Sequence, residues 1–486
     1  MSGRAETLRR WLAAAPLVAA VGCAVGPDFE PPAAPAAATY TPEPQPTETA
    51  VAGGRAQRFA AGNALPVKWW ELFESPRLDE RVEQALAANP TLQSAQATLR
   101  QSENELRAGY SVFFPRVDVG ASAVRERTFV PAPSVPRETL TVYSLAANAS
   151  YVLDVFGGER RKVESERAQT DTRRYETAAT YVTLVATVAN TTIAEAAYRE
   201  QIDFTQRLID AERDQVAITQ SRARSGLIPR ATLLALETQL ASTESQIPQL
   251  EQRWSEARDL LAVLLGREPA SFEAAPVPLA ELVIPQEIPV SLPSDLVRQR
   301  PDVLAAEARL HGASADIGVA TAAMFPQITL SGSYGTAGTG ALFSGPTAAW
   351  YAAAQLVSPV FHAGELWFQR RAAIEAYQAS LASYRETVLG GLEQVADSLR
   401  ALEHDAAQVE AQRRQESAAL DSLQLVGVNY RAGLAGYLDV LVANFQANEA
   451  TIARIEGEAR RLQDTVTLFA ALGGGWWENP GAVAPP

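Results

Sequence analysis

The sequence predicts a mainly α-helical chain with a small β part, in which one structural plan occurs twice. Three observations predict it: short segments recur about two hundred residues apart, four segments alternate apolar and polar residues, and two very long stretches contain no proline. Each half follows the order helix, strand pair, long helix, turn and returning helix. The recurring segments are 114–117 with 325–328, 224–227 with 431–434, and 264–266 with 471–473.

The N-terminus carries an export pattern. Residues 1–22 place three arginines before an apolar stretch that is too short to span a membrane permanently, which predicts a secretory signal peptide. Gly22 stands directly before Cys23, the single cysteine of the chain, and this arrangement predicts lipid attachment at Cys23 after cleavage. Ala20 stands where a lipoprotein signal usually has leucine. The alternative is an ordinary signal with an incidental cysteine.

The rest of the chain divides by composition and repetition. Proline, alanine and threonine dominate the segment after Cys23, which predicts an extended tether rather than a domain. The predicted segments are the tether 23–66, the first repeat 67–266, a linker 267–294, the second repeat 295–473 and a C-terminal tail 474–486.

The four alternating segments have one apolar and one polar side. In the first, Val117, Val119 and Ala121 alternate with Asp118 and Gly120. This pattern is typical of membrane strands and of hairpins on a soluble core, and the strands alone leave both open. Four strands cannot close a lipid-exposed barrel, so a membrane location requires two chains, with little lumen, or three, with twelve strands and an open pore. The strands are predicted at about 114–125, 140–154, 327–334 and 347–358.

The proline-free stretches predict helices at about 158–224 and 364–431, each roughly 100 Å long. Returning helices are predicted at about 231–265 and 437–472. Their apolar residues are spaced alternately three and four apart, which favours coiled-coil packing over a plain amphipathic helix in a bundle. Pro248 should kink the first returning helix.

The two halves align in two different ways. The turn glycines Gly226 and Gly433 are 207 residues apart, but the apolar heptads match at 205. Either the turns differ by two residues, or the two returning helices bury inequivalent faces. Both turns need a positive φ, which glycine supplies without strain.

Composition excludes several classes of function. The 486 residues contain 42 Lys and Arg against 56 Asp and Glu, a net charge of −14 that disfavours nucleic acid as a partner. One cysteine and three scattered histidines offer neither a disulfide framework nor a metal site. No phosphate-binding loop or nucleophile elbow occurs, so we expect neither an enzyme nor a cofactor, apart from the covalent lipid on Cys23.

Taken together, an exported, lipid-anchored chain with membrane strands and long charged helices fits the outer membrane of a Gram-negative cell. The helices would extend through the periplasm, and an inner-membrane partner could meet their far tips. The predicted tip residues are Gly226, Leu227, Gly433 and Leu434.

Several motifs resemble the TolC-type outer-membrane efflux proteins, specifically the OprM-like lipoprotein branch that serves resistance-nodulation-division pumps. The most specific is Arg-Pro-Asp-Val-Leu-Ala-Ala-Glu at 300–307, continuing to Phe-Pro at 325–326. The others are Cys-Ala-Val-Gly-Pro-Asp-Phe at 23–29, Trp-Trp-Glu-Leu-Phe at 69–73, Ser-Tyr-Val-Leu-Asp-Val-Phe-Gly at 150–157 and Tyr-Arg-Ala-Gly-Leu-Ala-Gly-Tyr-Leu-Asp-Val-Leu at 430–441.

The resemblance implies a homotrimer in which a 12-stranded transmembrane β-barrel continues into a long periplasmic α-helical barrel. Such a trimer is the exit duct of a tripartite efflux pump and passes small molecules such as drugs received from a periplasmic adaptor and an inner-membrane transporter. The alternatives are the outer-membrane channel of a type I protein-secretion system and, with less support, a structural coiled-coil lipoprotein.

The resemblance also implies roles at the tips. Tyr430 and Asp439 match positions of the periplasmic gate, and Gly433, with Gly226 as its first-half equivalent, matches the glycine beside which adaptors bind. Two departures bear on the gate: a second acidic position is Val442 here, and the first-half equivalent of Asp439 is Thr232 at an offset of 207. Alternatively, Asp439 is simply an acid that complements a helix N-terminus.

Overall fold

The computed structural model describes residues 24–127, 139–273, 275–338 and 348–478. They form two compact units, which we call the sheet unit and the helical unit. Each sequence repeat contributes to both units, so the duplication does not produce two separate bodies. The sheet unit holds residues 24–32, 99–127, 139–173, 305–338 and 348–385, and the helical unit holds 33–98, 174–273, 275–304 and 386–478.

Helices make up most of the structure, and the two longest have the same length, 67 residues. Their bounds lie within one residue of the predicted ones. None of the helices in the described ranges combines the length and apolar character needed to cross a lipid bilayer. The helices are α1 Pro76–Ala88, α2 Pro90–Gly109, α3 Gly158–Arg224, α4 Arg230–Glu244, α5 Ile247–Leu264, α6 Pro293–Gln299, α7 Pro301–Ala322, α8 Glu365–Arg431 and α9 Tyr437–Ala471.

The first returning helix is interrupted where the sequence predicts a kink. Helix α4 ends at Glu244, and α5 begins at Ile247 with Pro248 in its first turn. Proline is tolerated there because the first amides of a helix have no intrahelical acceptor. Helix α9 has no proline and continues unbroken for 35 residues.

The described part of the chain contains six strands, which form two sheets. The small sheet pairs β1 with β4 in parallel, and the larger one is antiparallel in the order β2-β3-β5-β6. Among the residues that the structure describes, β2 and β6 each pair on one side only, so the larger sheet has two open edges there. The strands are β1 Arg58–Ala61, β2 Arg116–Arg127, β3 Thr139–Leu153, β4 Glu287–Val290, β5 Gln327–Gly338 and β6 Ala348–Val357.

The register of the large sheet places the predicted apolar residues of all four strands on one face. Val119 lies opposite Ala147, Ala147 opposite Tyr334, and Tyr334 opposite Trp350. Trp350 is 75% exposed and Val119 is 73% exposed, so this face is not a core of the chain. An apolar exposed face on every strand is what a lipid-facing sheet requires.

The other face of the sheet is mostly polar or small. Ser122 lies opposite Ser144, with their hydroxyl oxygens 2.8 Å apart, and Ser150 lies opposite Ser331. Because neighbouring residues of a strand point to opposite faces, a one-residue slip would exchange the two faces completely. The observed register is therefore the one that separates apolar from polar.

The hydrophobic core lies in the helical unit. Trp69, Trp70 and Phe73 are at most 1% exposed, and the Trp69 ring centroid is 5.5 Å from that of Phe469 in α9. These aromatic side chains each remove a large apolar area from water and account for much of the stability of this unit.

The segments predicted as tether, linker and tail take part in this core, which corrects the sequence interpretation. In the tether, β1 pairs with β4 of the linker, and the Tyr40 hydroxyl donates to the Ser291 carbonyl at 2.9 Å. In the tail, the indole nitrogen of Trp476 donates to the Gln299 carbonyl at 2.9 Å. Distant partners of this kind leave no local periodicity, which is why composition alone suggested free segments.

Candidate functional site

The predicted tips are two turns of the same construction. Gly226 has φ +71° and Gly433 has φ +76°. At the first turn the amide of Leu227 donates to the Arg222 carbonyl at 3.0 Å. At the second, the amide of Leu434 donates to the carbonyl of Asn429 at 2.8 Å. Both are glycine-terminated helix ends that bond residues five apart.

The space around the glycine and the following leucine of each turn is open within the described part of the chain. A Cβ added at Gly226 or Gly433 would meet no heavy atom within 4 Å. Leu227 is 74% exposed and Leu434 is 79% exposed. Two equivalent turns therefore present one exposed leucine each.

The turns settle the question of alignment. Each position of the first turn has its counterpart 207 residues later in the second turn. Helices α4 and α9 also begin 207 residues apart, at Arg230 and Tyr437. The two turns therefore do not differ in length. At this offset the positions buried in α4 and α5 are also buried in α9, except that Ala257 corresponds to the half-buried Asp464, and α9 buries further positions besides. Helix α9 contacts both long helices: Asn444 Nδ2 donates to Glu212 Oε1 of α3 at 3.1 Å, and a Cβ at Gly457 would collide with Gln412 of α8.

Asp439 caps helix α9. Its carboxylate Oδ2 accepts the amide of Gly436 at 2.8 Å, while its own amide donates to the Gly436 carbonyl at 3.2 Å. Thr232 occupies the same position of α4, and its amide donates to the carbonyl of Pro229 at 3.1 Å. Because Pro229 has no amide hydrogen, a carboxylate at 232 would lack this bond. The absence of an acid at the first tip thus has a local reason.

The capping role of Asp439 agrees with the simpler of its two interpretations, but the carboxylate is also exposed. A capping carboxylate still carries its charge, so an additional role at a narrow aperture remains a prediction. Val442 lies one turn further along α9 and is 49% exposed. It offers no charge to such an aperture.

Tyr430 has an aromatic partner that the sequence interpretation missed. Its ring is 5.5 Å from that of Tyr437, at an interplanar angle of 67°. Burial, followed by the neighbouring Tyr430 and Glu212, raises the pKa of the Tyr437 phenol. This edge-to-face pair joins the end of α8 to the start of α9. The first tip has no such pair, since the equivalent positions are Ala223 and Arg230.

A buried acid near the tips was also missed. Glu212 of α3 is 5% exposed, and it accepts a hydrogen bond from Asn444. Burial raises its pKa, although the neighbouring polar side chains of Thr243, Gln239 and Asn444 favour the charged form. Glu212 therefore links α3, α4 and α9 through polar contacts. No motif marks it, because its burial depends on three helices that are distant in sequence.

Cys23 lies outside the described residues, but the residues that follow it make specific contacts within the sheet unit. The Val25 amide donates to the carbonyl of Phe156 at 3.0 Å. Arg161 Nη2 is 2.6 Å from the Asp28 carboxylate, and the Phe29 ring stacks on that of His311 at 4.5 Å. The chain thus leaves position 24 beside the segment that follows β3.

Comparison with known proteins identifies the architecture. The family described as outer membrane efflux protein matches residues 82–267 and 292–474, which span most of both repeats. The chain belongs to this family. OpmQ of Pseudomonas putida, a pyoverdine export outer membrane protein, is 30% identical over 87% of this chain and 92% of its own length. OprJ of Pseudomonas aeruginosa, an outer membrane protein, is 29% identical over 95% of each chain.

A solved structure leads to the same conclusion. The outer-membrane channel OprN has a TM-score of 0.83 and 28% identity, covering 93% of this chain and all of OprN. The predicted fold class is confirmed as that of the trimeric TolC-type channels, in which three chains build one wall and each supplies four strands. This outer membrane efflux protein is located in the outer membrane with its helices in the periplasm, and it acts as the exit channel of an efflux pump.

Proposed function

We propose that this channel serves a tripartite pump in which a periplasmic adaptor contacts the two tips and an inner-membrane resistance-nodulation-division transporter supplies the energy. The observation that carries the proposal is the equivalence of the tips. Both have the same turn hydrogen bonds, a glycine at positive φ and an exposed leucine. Equivalent docking elements allow three chains to offer six similar contacts around one axis.

Transport through the channel is passive. The cargo belongs to the class of small molecules, because relatives with this fold carry names that refer to pyoverdine export, antibiotic efflux and toluene efflux. Such a range over one architecture agrees with a duct that passes what its pump delivers. Tyr430 and Asp439 are the proposed gate residues.

The same channel is proposed to carry a lipid on Cys23. Ala24 packs against Gly157, where an added Cβ would come within 2.5 Å of the Ala24 Cα. Strand β3 ends at Leu153, so an acyl chain on the preceding residue would begin near the end of the lipid-facing strands. A single acyl chain binds a membrane only weakly by itself, but it adds to the membrane attachment that an embedded sheet provides. Labelling cells with a palmitate analogue should mark the native chain and leave Cys23→Ala unmarked.

Docking is tested by Leu227→Ser combined with Leu434→Ser. In a strain that lacks its own channel and supplies an adaptor and a pump, the double variant should lose drug resistance while its trimer yield in detergent stays unchanged. Leu420→Ser is the matched control, since Leu420 is an exposed leucine on α8 away from the turns. Full resistance with the double variant would refute docking at the tips. Rescue of protein secretion with a transporter ATPase, without drug resistance, would favour the type I secretion alternative.

A further inference from the structure

The helical unit contains an open pocket of about 390 Å³ away from both turns. Its walls come from the tether, the linker and helices α3, α8 and α9. Four arginines but only two glutamates line it, so the pocket has an excess of positive charge. The charged lining residues are Arg55, Arg413, Arg454, Arg461, Glu200 and Glu458.

Two of the arginines are neutralised within the chain. Arg454 lies 2.8 Å from Glu416, 2.7 Å from Glu458 and 3.3 Å from Glu200. Arg413 also pairs with Glu458. These contacts use both glutamates that line the pocket. The charge of Arg461 also interacts with the buried Asp405, but burial raises the pKa of that carboxyl to about 7.

Arg461 is the exceptional group. It is 4% exposed, yet all its hydrogen bonds within the described residues go to uncharged oxygens. Only the bond from Nε to Gln57 Oε1, at 3.0 Å, is short, and those from the terminal nitrogens to Ala52, Thr49 and Arg55 are 3.4–3.5 Å. Burial lowers the pKa of Arg461. A buried guanidinium that donates to no carboxylate is costly, and an anion at its fork would relieve that cost.

The tether holds the fourth arginine at the entrance. Residues 52–55 form a tight turn in which the amides of Ala52 and Arg55 each donate to the other's carbonyl, at 3.1 and 3.2 Å. Gly53 has φ +61°, and a Cβ there would lie 2.9 Å from Cζ of Arg413. Arg55 lines the pocket and is exposed, so its guanidinium is accessible to a ligand.

We propose that this pocket binds a small organic anion through a carboxylate held between Arg461 and Arg55. Guanidinium groups bind carboxylates in a two-bond fork, and phosphate satisfies the same geometry. One wall is apolar, formed by Leu279, Leu282 and Leu462, so a carbon skeleton should contribute to binding where inorganic phosphate cannot. The site lies outside the proposed gate and docking surfaces and would join the tether to α9.

Isothermal titration of the purified trimer in detergent tests the proposal with two probes, succinate and inorganic phosphate. Succinate should bind once per chain with a dissociation constant of about 1 mM or lower, and phosphate more weakly. Sodium chloride at matched ionic strength corrects for screening. If phosphate binds as tightly as succinate, the carbon skeleton does not contribute to binding and the ligand need not be organic. If neither probe produces heat of binding, the pocket is not an anion site.

Variants distinguish binding in this pocket from non-specific attraction between an anion and the arginines of the chain. Arg55→Ala removes an exposed side chain and should weaken succinate binding about tenfold, as should Arg461→Lys, which keeps the charge but loses the fork. Arg253→Ala removes an exposed arginine of α5 outside the pocket and should bind like the native chain. Undiminished binding in both pocket variants, or an equal loss in Arg253→Ala, would refute the assignment.

Discussion

The guanidinium of Arg300 occupies the space that a side chain at Gly391 would need. A Cβ added at Gly391 would lie 3.1 Å from Arg300 Nε. Arg300 is 6% exposed, and its Nη1 donates to the Ala471 carbonyl at 2.7 Å while two nitrogens grip the Asp302 carboxylate at 3.0 and 2.6 Å. One side chain thus links the start of α7, the end of α9 and the middle of α8.

This relationship predicts opposite effects at two adjacent glycines. Gly391→Ala should lower the free energy of unfolding by about 1–3 kcal/mol, because the added methyl group forces Arg300 to move. Gly390→Ala is the matched control: no atom lies within 4 Å of its added Cβ, so better helix propensity should raise stability by up to about 1 kcal/mol. Thermal unfolding of the two variants decides the matter, and equal shifts would contradict the packing role of Gly391.

The cap at the second tip allows the charge of Asp439 to be separated from its hydrogen bond. Asp439→Asn keeps an oxygen for the Gly436 amide, so stability should change little. Asp439→Ala loses the cap and should cost about 1 kcal/mol. If the negative charge of Asp439 also restricts the passage of ions through the channel, both variants should raise single-channel conductance in planar bilayers. Native conductance in both would remove Asp439 from the gate and leave it a capping residue.

The two faces of the sheet predict different tolerance of charge. Ala354 lies on the apolar face opposite Leu330, and its neighbour Ala353 lies on the polar face opposite Ser331. Ala354→Arg should reduce assembly in the outer membrane, with a cost of about 2–4 kcal/mol if the residue lies near the bilayer centre. Ala353→Arg should assemble normally. Heat-modifiable migration of the trimer on gels measures both, and equal yields would mean that the faces are assigned incorrectly.

A buried carboxyl predicts pH-dependent stability. Burial, followed by the adjacent Asp464, raises the pKa of Asp405 to about 7, against the opposing charges of Arg460 and Arg461. The folded chain therefore holds a proton that the unfolded chain, with an ordinary value near 3.8, releases. Stability should fall as the pH rises from about 4 to about 7 and then level off.

Asp405→Asn should remove this part of the pH dependence and unfold at a higher temperature than the native chain at pH 8. The exposed Asp421 of the same helix supplies the control, since Asp421→Asn should keep the native profile. A native chain whose unfolding temperature does not vary over this pH range would show that Asp405 is ionised in the folded state.

Local features of the sequence were sufficient for much of the fold. Alternation with period two placed Val119 and Trp350 on a common face, glycine marked both turns, and the absence of proline set the length of the long helices. Each of these signals acts within a few residues of the chain. The duplicated plan and the exposed leucines at the turns could be predicted for the same reason.

What only the tertiary structure decided depends on partners far apart in sequence. The alignment of the halves at 207, the packing of the tether on the linker, and the burial of Arg461 among uncharged oxygens all involve residues that meet only after folding. Burial and charge neutralisation are sums over such neighbours, so a single stretch of sequence does not contain them. The sequence by itself therefore determined the elements and their repetition, and the tertiary structure decided which of their faces are buried.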